Sequence, residues 1–349
     1  MSRQSPLVVR PVRLDDLEQL NGLAQLTATG LTTLPRDEAL MEKRVRQSVH
    51  SFTRLDDDSV RHELFLFVME ATDARQVVGT CGIVPKVGGF KPFYAYQLKT
   101  EVHESETLGL RCEHQVLSLL REHDGPTEIG SLFLHRDFRG AGAGRVLSLC
   151  RFLFMANYPQ LFEAEVIAEM RGVIDEGGDS PFWDSLGSHF FDIDFPNADM
   201  LSLVNKEFID KLMPRHPIYV ALLSEAAQAS IGQVHPLTVP ARKMLEREGL
   251  RLNDLVDIFE AGPVLQCRRE EIRAVRESEV AVVSEIGDDL AGRDASRHCV
   301  ATTVDRSFRA AGGYLIKTEG GLILERALAT SLAVEPGDSV RFVNLRPGE

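Results

Sequence analysis

The stretch GSLFLHRDFRGAGAGRVLSLCRFLFMANY, Gly130 to Tyr158, decides the fold. It opens on a short apolar run, Ser131 to Leu134, suited to a buried strand. A turn rich in charge and glycine follows from Arg136 to Gly144. The spacing then becomes helical, with Val146, Leu147, Leu149, Cys150, Phe152, Leu153 and Phe154 on a broad apolar face. Strand, glycine turn and helix start together make an anion cradle. Successive backbone N–H groups converge there, and the helix dipole favours negative charge.

Spacing narrows the anion. A P-loop needs Lys-Ser/Thr after its last glycine, whereas Gly144 is followed by Arg145-Val146. The dinucleotide pattern fails because Gly140, Gly142 and Gly144 alternate. Arg139-x-x-Gly142-x-Gly144 after a strand resembles instead the pyrophosphate motif of the GNAT superfamily of acyl-CoA N-acyltransferases. That resemblance implies that the turn Arg139, Gly140, Ala141, Gly142, Ala143, Gly144, Arg145 holds coenzyme A. The plainer reading of the same residues is a tight turn needing glycine for its backbone angles.

At 349 residues the chain can bury a full core and is expected to hold more than one domain. No apolar run reaches membrane-spanning length, and MSRQSPLVVRPVRLDD lacks the apolar centre of a signal peptide. A cytoplasmic protein that engages no membrane is therefore expected. Cys81, Cys112, Cys150, Cys267 and Cys299 are scattered, odd in number and without C-x-x-C pairs. That speaks against a disulfide framework and a zinc site, so no metal is expected. A formal net charge of −13 speaks against nucleic-acid binding and suits a small cationic substrate.

Leu7 to Arg13 reads as an edge strand tolerant of Pro11. Asp15-Asp16 can cap a helix through Leu17, Leu20, Leu23 and Leu26. Thr27 to Pro35 is a hydroxyl-rich loop, and Asp37 to Phe52 a second helix. Glu63 to Met69 and Gln76 to Val84 read as antiparallel strands, and Gly88 to Tyr96 as a turn and strand. Glu101 to Gly125 mixes patterns. Glu165 to Met170 is the next strand. Two later segments, Pro181 to Gly187 and Ala241 to Gly249, both imitate the helix that follows this strand in the acyltransferase fold. The first comes directly after the strand and is the expected one. A mostly helical insertion would then cover about 196–240, with Leu255 to Phe259 and Val264 to Cys267 as closing strands. The expected architecture is α+β with a mixed sheet: an acyl-CoA N-acyltransferase domain over 1–270 and a small β-rich C-terminal subdomain over 271–349.

Seven segments occur in order: TGLTTLP (Thr29–Pro35), the block Leu132–Ala156, AEMRGVIDE (Ala168–Glu176), SPFWDSLGSHFF (Ser180–Phe191), FIDKLMPRHPIY (Phe208–Tyr219), IGQVHPLTVPA (Ile231–Ala241) and VDIFEAGP (Val256–Pro263). Together they resemble the arginine N-succinyltransferase family over nearly the whole chain. The resemblance implies transfer of a succinyl group from succinyl-CoA to the α-amine of arginine, with ornithine as a further acceptor. It also implies a homo-oligomer, or a hetero-oligomer with a related subunit. The chain departs from the family at Phe93-Tyr-Ala-Tyr-Gln97, where Trp-Tyr-Asn-Tyr-Arg is usual, and at Leu119 to Pro126, which lacks the usual Asn-Asp loop. Both departures leave the particular amine and acyl group open.

Acyl transfer to an amine needs a neutral amine, a polarised thioester carbonyl and a proton for the departing thiolate. In many acyltransferase relatives a tyrosine supplies that proton. Trp183 or Leu245 stands at the equivalent place here, and neither can. His235, in Gly232-Gln-Val-His-Pro236, matches the histidine regarded as the family's proton donor, and imidazole titrates near working pH. His135, beside the turn, is its rival. Arg171 offers a planar fork for the succinyl carboxylate, or else pairs with Glu169 or Asp175. Glu169, Asp175 and Glu176 are candidates for the guanidinium of the acceptor, and the loop with Thr29 and Gly30 borders it. Leu132 and Leu134 would offer strand backbone to the pantetheine arm. Three other readings stay open: another amine or acetyl-CoA, a non-catalytic partner subunit, and a coenzyme A sensor.

Overall fold

The computed structural model describes residues 6–27, 33–56, 63–175, 177–204, 207–291, 295–303 and 308–346. In chain order, β1 (Leu7–Pro11), α1 (Leu17–Gln25) and α2 (Glu38–Ser51) lead into β2 (Phe65–Ala71) and β3 (Gln76–Val84). A long hairpin follows, β4 (Gly88–Ser105) with β5 (Leu110–Asp124), and then β6 (Thr127–Leu134), α3 (Ala143–Asn157) and β7 (Glu165–Glu169). The mostly helical stretch holds α4 (Pro181–Ser185), α5 (Phe195–Val204), α6 (Glu207–Leu212), β8 (Ile218–Tyr219), α7 (Glu225–Ser230) and α8 (Val239–Glu248). After β9 (Arg251–Val256) and β10 (Pro263–Arg268) come α9 (Arg273–Arg276), β11 (Glu279–Gly287), β12 (Ser296–Thr302), β13 (Ala310–Thr318), β14 (Gly321–Glu325), α10 (Arg326–Leu332) and β15 (Ser339–Asn344).

The described strands form one continuous sheet in the order β12-β15-β11-β14-β13-β1-β2-β3-β6-β7-β10-β9-β4-β5-β8. It is a mixed sheet: β6 runs parallel to β7, and β11 to β14, while the other described pairings are antiparallel. The α+β class expected from the sequence is what the chain adopts.

Helix α3 is the centre of the core. Eleven of its residues are buried, Ser148 and Arg151 among them, so it is enclosed on most sides rather than along one stripe. Phe154 sits in a ring of aromatics, 5.1 Å from Phe65, 5.2 Å from Phe67 and 5.1 Å from Phe308 between ring centroids. The C-terminal strands help close over α3, with Cys299, Ala301, Ala310, Val343 and Leu345 in the same core. They also carry a core of their own around Val300, Leu315, Leu324, Leu328 and Phe342.

Four local expectations change. First, β1 is not an edge strand. It pairs with β2 along its length and with β13 at Val9↔Ala310, so a C-terminal strand covers the side that local sequence leaves open. Pro11 is tolerated because it is the last residue of the strand. Second, Glu101 to Gly125 lies largely within the β4–β5 hairpin, paired from Gly88↔Asp124 to Ser105↔Leu110. Its outer half is exposed on both faces, which removes the alternation that marks a half-buried strand. Third, β9 stops at Val256. The Asp257 Oδ1 atom accepts the N–H of Phe259 at 2.7 Å and of Glu260 at 2.8 Å, an Asx turn that ends the strand. Fourth, of the two candidate helices after β7, α8 is the one beside β6 and β7. α4 instead buries Phe182 and Trp183 in a separate cluster with Phe191 and Phe259.

Candidate active site

The site begins where two parallel strands part. β6 and β7 pair only at Thr127↔Val166 and Glu128↔Ile167. Beyond that point β6 stays with β3 as far as Gly79↔Leu134, while β7 stays with β10 as far as Val264↔Glu169. Each strand is satisfied on its outer side, and the inner side opens. A bulge in β6 assists the parting: Ser131 adopts φ 54°, and the register against β3 shifts between Thr80 and Gly82. The bulge is held by the Thr80 hydroxyl, which donates to the Ser131 carbonyl at 2.8 Å, and by the Ser131 hydroxyl, which donates to the Thr33 carbonyl at 3.2 Å.

A cavity of about 540 Å³ fills the gap. Leu132 and Leu134 of β6, Ala168 to Arg171 at the end of β7, and Pro240, Ala241, Met244 and Leu245 of α8 line it. At one end it reaches Arg139, Gly140 and Gly144 of the glycine turn. The turn runs through Gly140 at φ 121°, Ala141 at φ 44° and Gly142 at φ 80° before α3 begins. Gly142 is the N-cap of α3 and has no side chain with which to cap it. The Gly140 carbonyl takes the Ala143 N–H and the Gly142 carbonyl the Arg145 N–H, so Gly144, which lines the cavity, is the first-turn residue placed to offer its N–H to a ligand. Arg139 folds back and donates from Nε to the Leu134 carbonyl at 3.1 Å, which keeps its charge at the strand end. Arg145 lines a narrow crevice with Met244, Arg247 and Glu248 rather than the main cavity, and Ala141, Gly142 and Ala143 form the turn without lining the cavity.

His235 stands beside the wall, next to Leu237 and Thr238, which do line the cavity. Its Nδ1 accepts the Leu237 N–H at 3.2 Å, which leaves Nε2 as the ring atom that can exchange a proton. Partial burial lowers its pKa, and the positive charge of Arg171 lowers it further. His135 makes the same kind of turn cap, Nδ1 accepting the Asp137 N–H at 3.3 Å, but does not line the cavity.

Arg171 and Glu169 line the cavity. Asp175 does not: its carboxylate accepts the Asp179 N–H at 2.9 Å and closes an exposed turn. The other acceptor-side expectations, Thr29, Gly30 and Glu176, lie outside the described residues. In their place the structure assembles acids that sequence reading missed. Asp199 of α5, with Asp257 and Glu260 of the turn after β9, lines the same cavity. Burial pushes Asp199 up to about 7 and Glu260 up to about 8, and Asp257 adds to both shifts. Asp257 and Glu260 do fall inside VDIFEAGP, so a signal existed. Asp199, one acid in an otherwise mostly apolar helix, was a fainter one. Arg151 of α3 is a further wall residue. Its guanidinium is buried and bonds Ser148, and that burial lowers its pKa.

Among the described residues, no group of three or more His, Cys, Asp or Glu side chains is placed to hold a metal ion. No helix among them is long and apolar enough to cross a membrane.

Comparison with known proteins matches residues 7–274 to the family described as arginine N-succinyltransferase beta subunit. The arginine N-succinyltransferase of Enterobacter sp. (strain 638) is 42% identical over 344 residues, covering 98% of this chain and 99% of its own. That of Escherichia coli (strain K12 / DH10B) is 41% identical over 343 residues, covering 97% of this chain and 98% of its own. Among solved structures, the arginine/ornithine succinyltransferase subunit AI from Pseudomonas aeruginosa is similar at a TM-score of 0.89 and 34% identity, covering 98% of this chain and 99% of that one. Glycine turn, parted parallel strands and full-length likeness agree: the chain belongs to the arginine N-succinyltransferase family, acyltransferases built on the GNAT acyl-CoA N-acyltransferase fold.

Proposed function

We propose that this chain transfers a succinyl group from succinyl-CoA to the α-amine of arginine, as a cytoplasmic oligomer. The observation that carries this reading is the single cavity running from the glycine turn between β6 and β7 to Arg171, with His235 at its side. The turn and the start of α3 receive the pyrophosphate, and the free edge of β6 at Leu132 and Leu134 receives the pantetheine arm. Arg171 pairs with the succinyl carboxylate. The neutral α-amine attacks the thioester carbon, the C–N bond forms, and the C–S bond breaks. The proton lost by the amine balances the one gained by the thiolate, with His235 Nε2 as the exchanging group.

The test is release of free thiol from succinyl-CoA or acetyl-CoA in the presence of arginine, ornithine or lysine. Release that requires succinyl-CoA and arginine is expected. Release with acetyl-CoA, or with a different amine only, would replace the substrate assignment. Coenzyme A binding without release from any pair would favour a partner subunit or a sensor.

A further inference from the structure

A second cavity, of about 280 Å³, shares Glu128, Gly130, Ser131 and Glu169 with the first, so the two meet where β6 and β7 part. Its walls also carry Arg44 from α2, Asp199 from α5 and Asp257 from the turn after β9. Glu260 lines the main cavity together with the same two aspartates.

Three charged side chains around this junction each keep a buried polar atom without a hydrogen-bond partner: Arg44 Nε, Arg171 Nε and Glu260 Oε2. Glu260 is only 8% exposed, and its other oxygen is already taken, accepting the Gly172 N–H at 2.7 Å. A buried polar atom without a hydrogen bond is costly to keep and is met by a ligand with the complementary group. With Arg171 given to the succinyl carboxylate, what remains is an arginine N–H without an acceptor and a carboxyl oxygen without a donor. An amino acid with a cationic side chain supplies both.

We propose that the junction of the two cavities is the amino-acid subsite, in which Glu260, flanked by Asp199 and Asp257, takes the guanidinium on the main-cavity side and Arg44 takes the α-carboxylate on the side-cavity side. The assignment rests on the function proposed above. Glu128 lies on the rim shared by the two cavities and interacts electrostatically with Arg44. Packing three acids together is tolerable because Arg171 offsets part of their charge.

Three probes separate the two ends: arginine, agmatine (no α-carboxylate) and citrulline (no cationic head). Steady-state constants and calorimetric affinities are measured on the full chain, wild type and with Glu260→Gln or Arg44→Gln. Glu260→Gln keeps an oxygen for the Gly172 N–H, and melting curves with the KM for succinyl-CoA check both variants for folding. The wild type is expected to prefer arginine to agmatine and to citrulline by about 10- to 100-fold each. Arg44→Gln should erase the preference over agmatine and leave that over citrulline, and Glu260→Gln should do the reverse. If both variants weaken all three probes equally, or each erases the wrong preference, the subsite assignment is overturned while the reaction stands. If the wild type transfers no succinyl group to arginine, the reading of function fails, and this one with it.

Discussion

The main-chain N–H of His235 donates to the carbonyl of Arg171 at 2.8 Å, which pins the histidine's loop to the segment that follows β7. The proposed proton carrier and the proposed carboxylate anchor are thereby held as one unit, although 64 positions apart in sequence. The contact also sets the ionisation of the ring. Burial lowers the His235 pKa below its ordinary 6.5, and the charge of Arg171 lowers it further. NMR titration of the imidazole should therefore place His235 below 6.5, and Arg171→Gln should raise it. The sign for stability follows. Below that ordinary value the unfolded chain binds a proton that the native ring resists, so His235 makes the fold less stable as pH falls. A pKa unmoved by Arg171→Gln would mean that the two charges are not coupled.

His235→Ala removes Nε2, and with it the Nδ1 cap on the Leu237 N–H, at a position that does not itself line the cavity. Loss of a positioned proton carrier typically costs on the order of 10²- to 10⁴-fold in turnover. The expected result is a fall in kcat of that order with the KM for succinyl-CoA nearly unchanged. Unchanged turnover would remove His235 from the mechanism.

How far the sequence disclosed this site depends on the range of the interactions that build it. Leu132, Leu134 and the turn from Arg139 to Gly144 were legible because strand, glycines and helix are contiguous, and local spacing alone sets their geometry. Arg44, Asp199 and Glu260 were not. They come from three distant segments and meet only through the fold, and Arg44 sits in a helix that is polar around it. Leu255 to Phe259 reads as a strand, yet the Asx turn at Asp257 takes over the backbone there. The choice of α4 over α8 failed for a related reason. Proximity in sequence to β7 favoured α4, whereas burial of Trp183, stacked on Phe191 at 5.4 Å, draws that helix into another core.

The glycine turn can be tested on its own terms. Gly142 needs φ 80°, and a Cβ placed there would lie 2.6 Å from Leu345 Cδ2 of the C-terminal region. Gly142→Ala should therefore destabilise the fold by about 1–2 kcal/mol from the left-handed backbone, with crowding in addition. The KM for succinyl-CoA should rise as the turn shifts. Adding Leu345→Ala should relieve the crowding seen in denaturant melts but not restore KM. Full recovery of KM would mean that the turn's backbone angles are unimportant for the donor.

The C-terminal region is tied to α8 by a buried ion pair. Arg273 Nη2 lies 2.8 Å from Glu248 Oε1, both side chains under a tenth exposed, and the Ala274 N–H donates to Glu248 Oε2 at 3.0 Å. Burial raises the Glu248 pKa, while Arg273 opposes that rise. Arg273→Met should cost about 3–5 kcal/mol because it strands a buried carboxylate. Glu248→Gln combined with Arg273→Met should recover much of that loss in urea melts. Equal losses in the single and double variants would show that packing, not charge, joins these elements.

Binding of the amino acid should also move protons. Burial first, and Asp257 next, raise Asp199 to about 7 and Glu260 to about 8, so near neutral pH both are partly protonated in the free protein. A guanidinium placed among them favours their charged forms and lowers both pKa values. Arginine binding near pH 7 should therefore release protons to solvent. The measurement is calorimetry in buffers of different ionisation enthalpy, where the slope of observed heat against buffer enthalpy counts the protons. Release should shrink in Glu260→Gln and be small for citrulline, which brings no cation. A wild-type slope of zero with arginine would mean that the guanidinium does not reach these carboxylates.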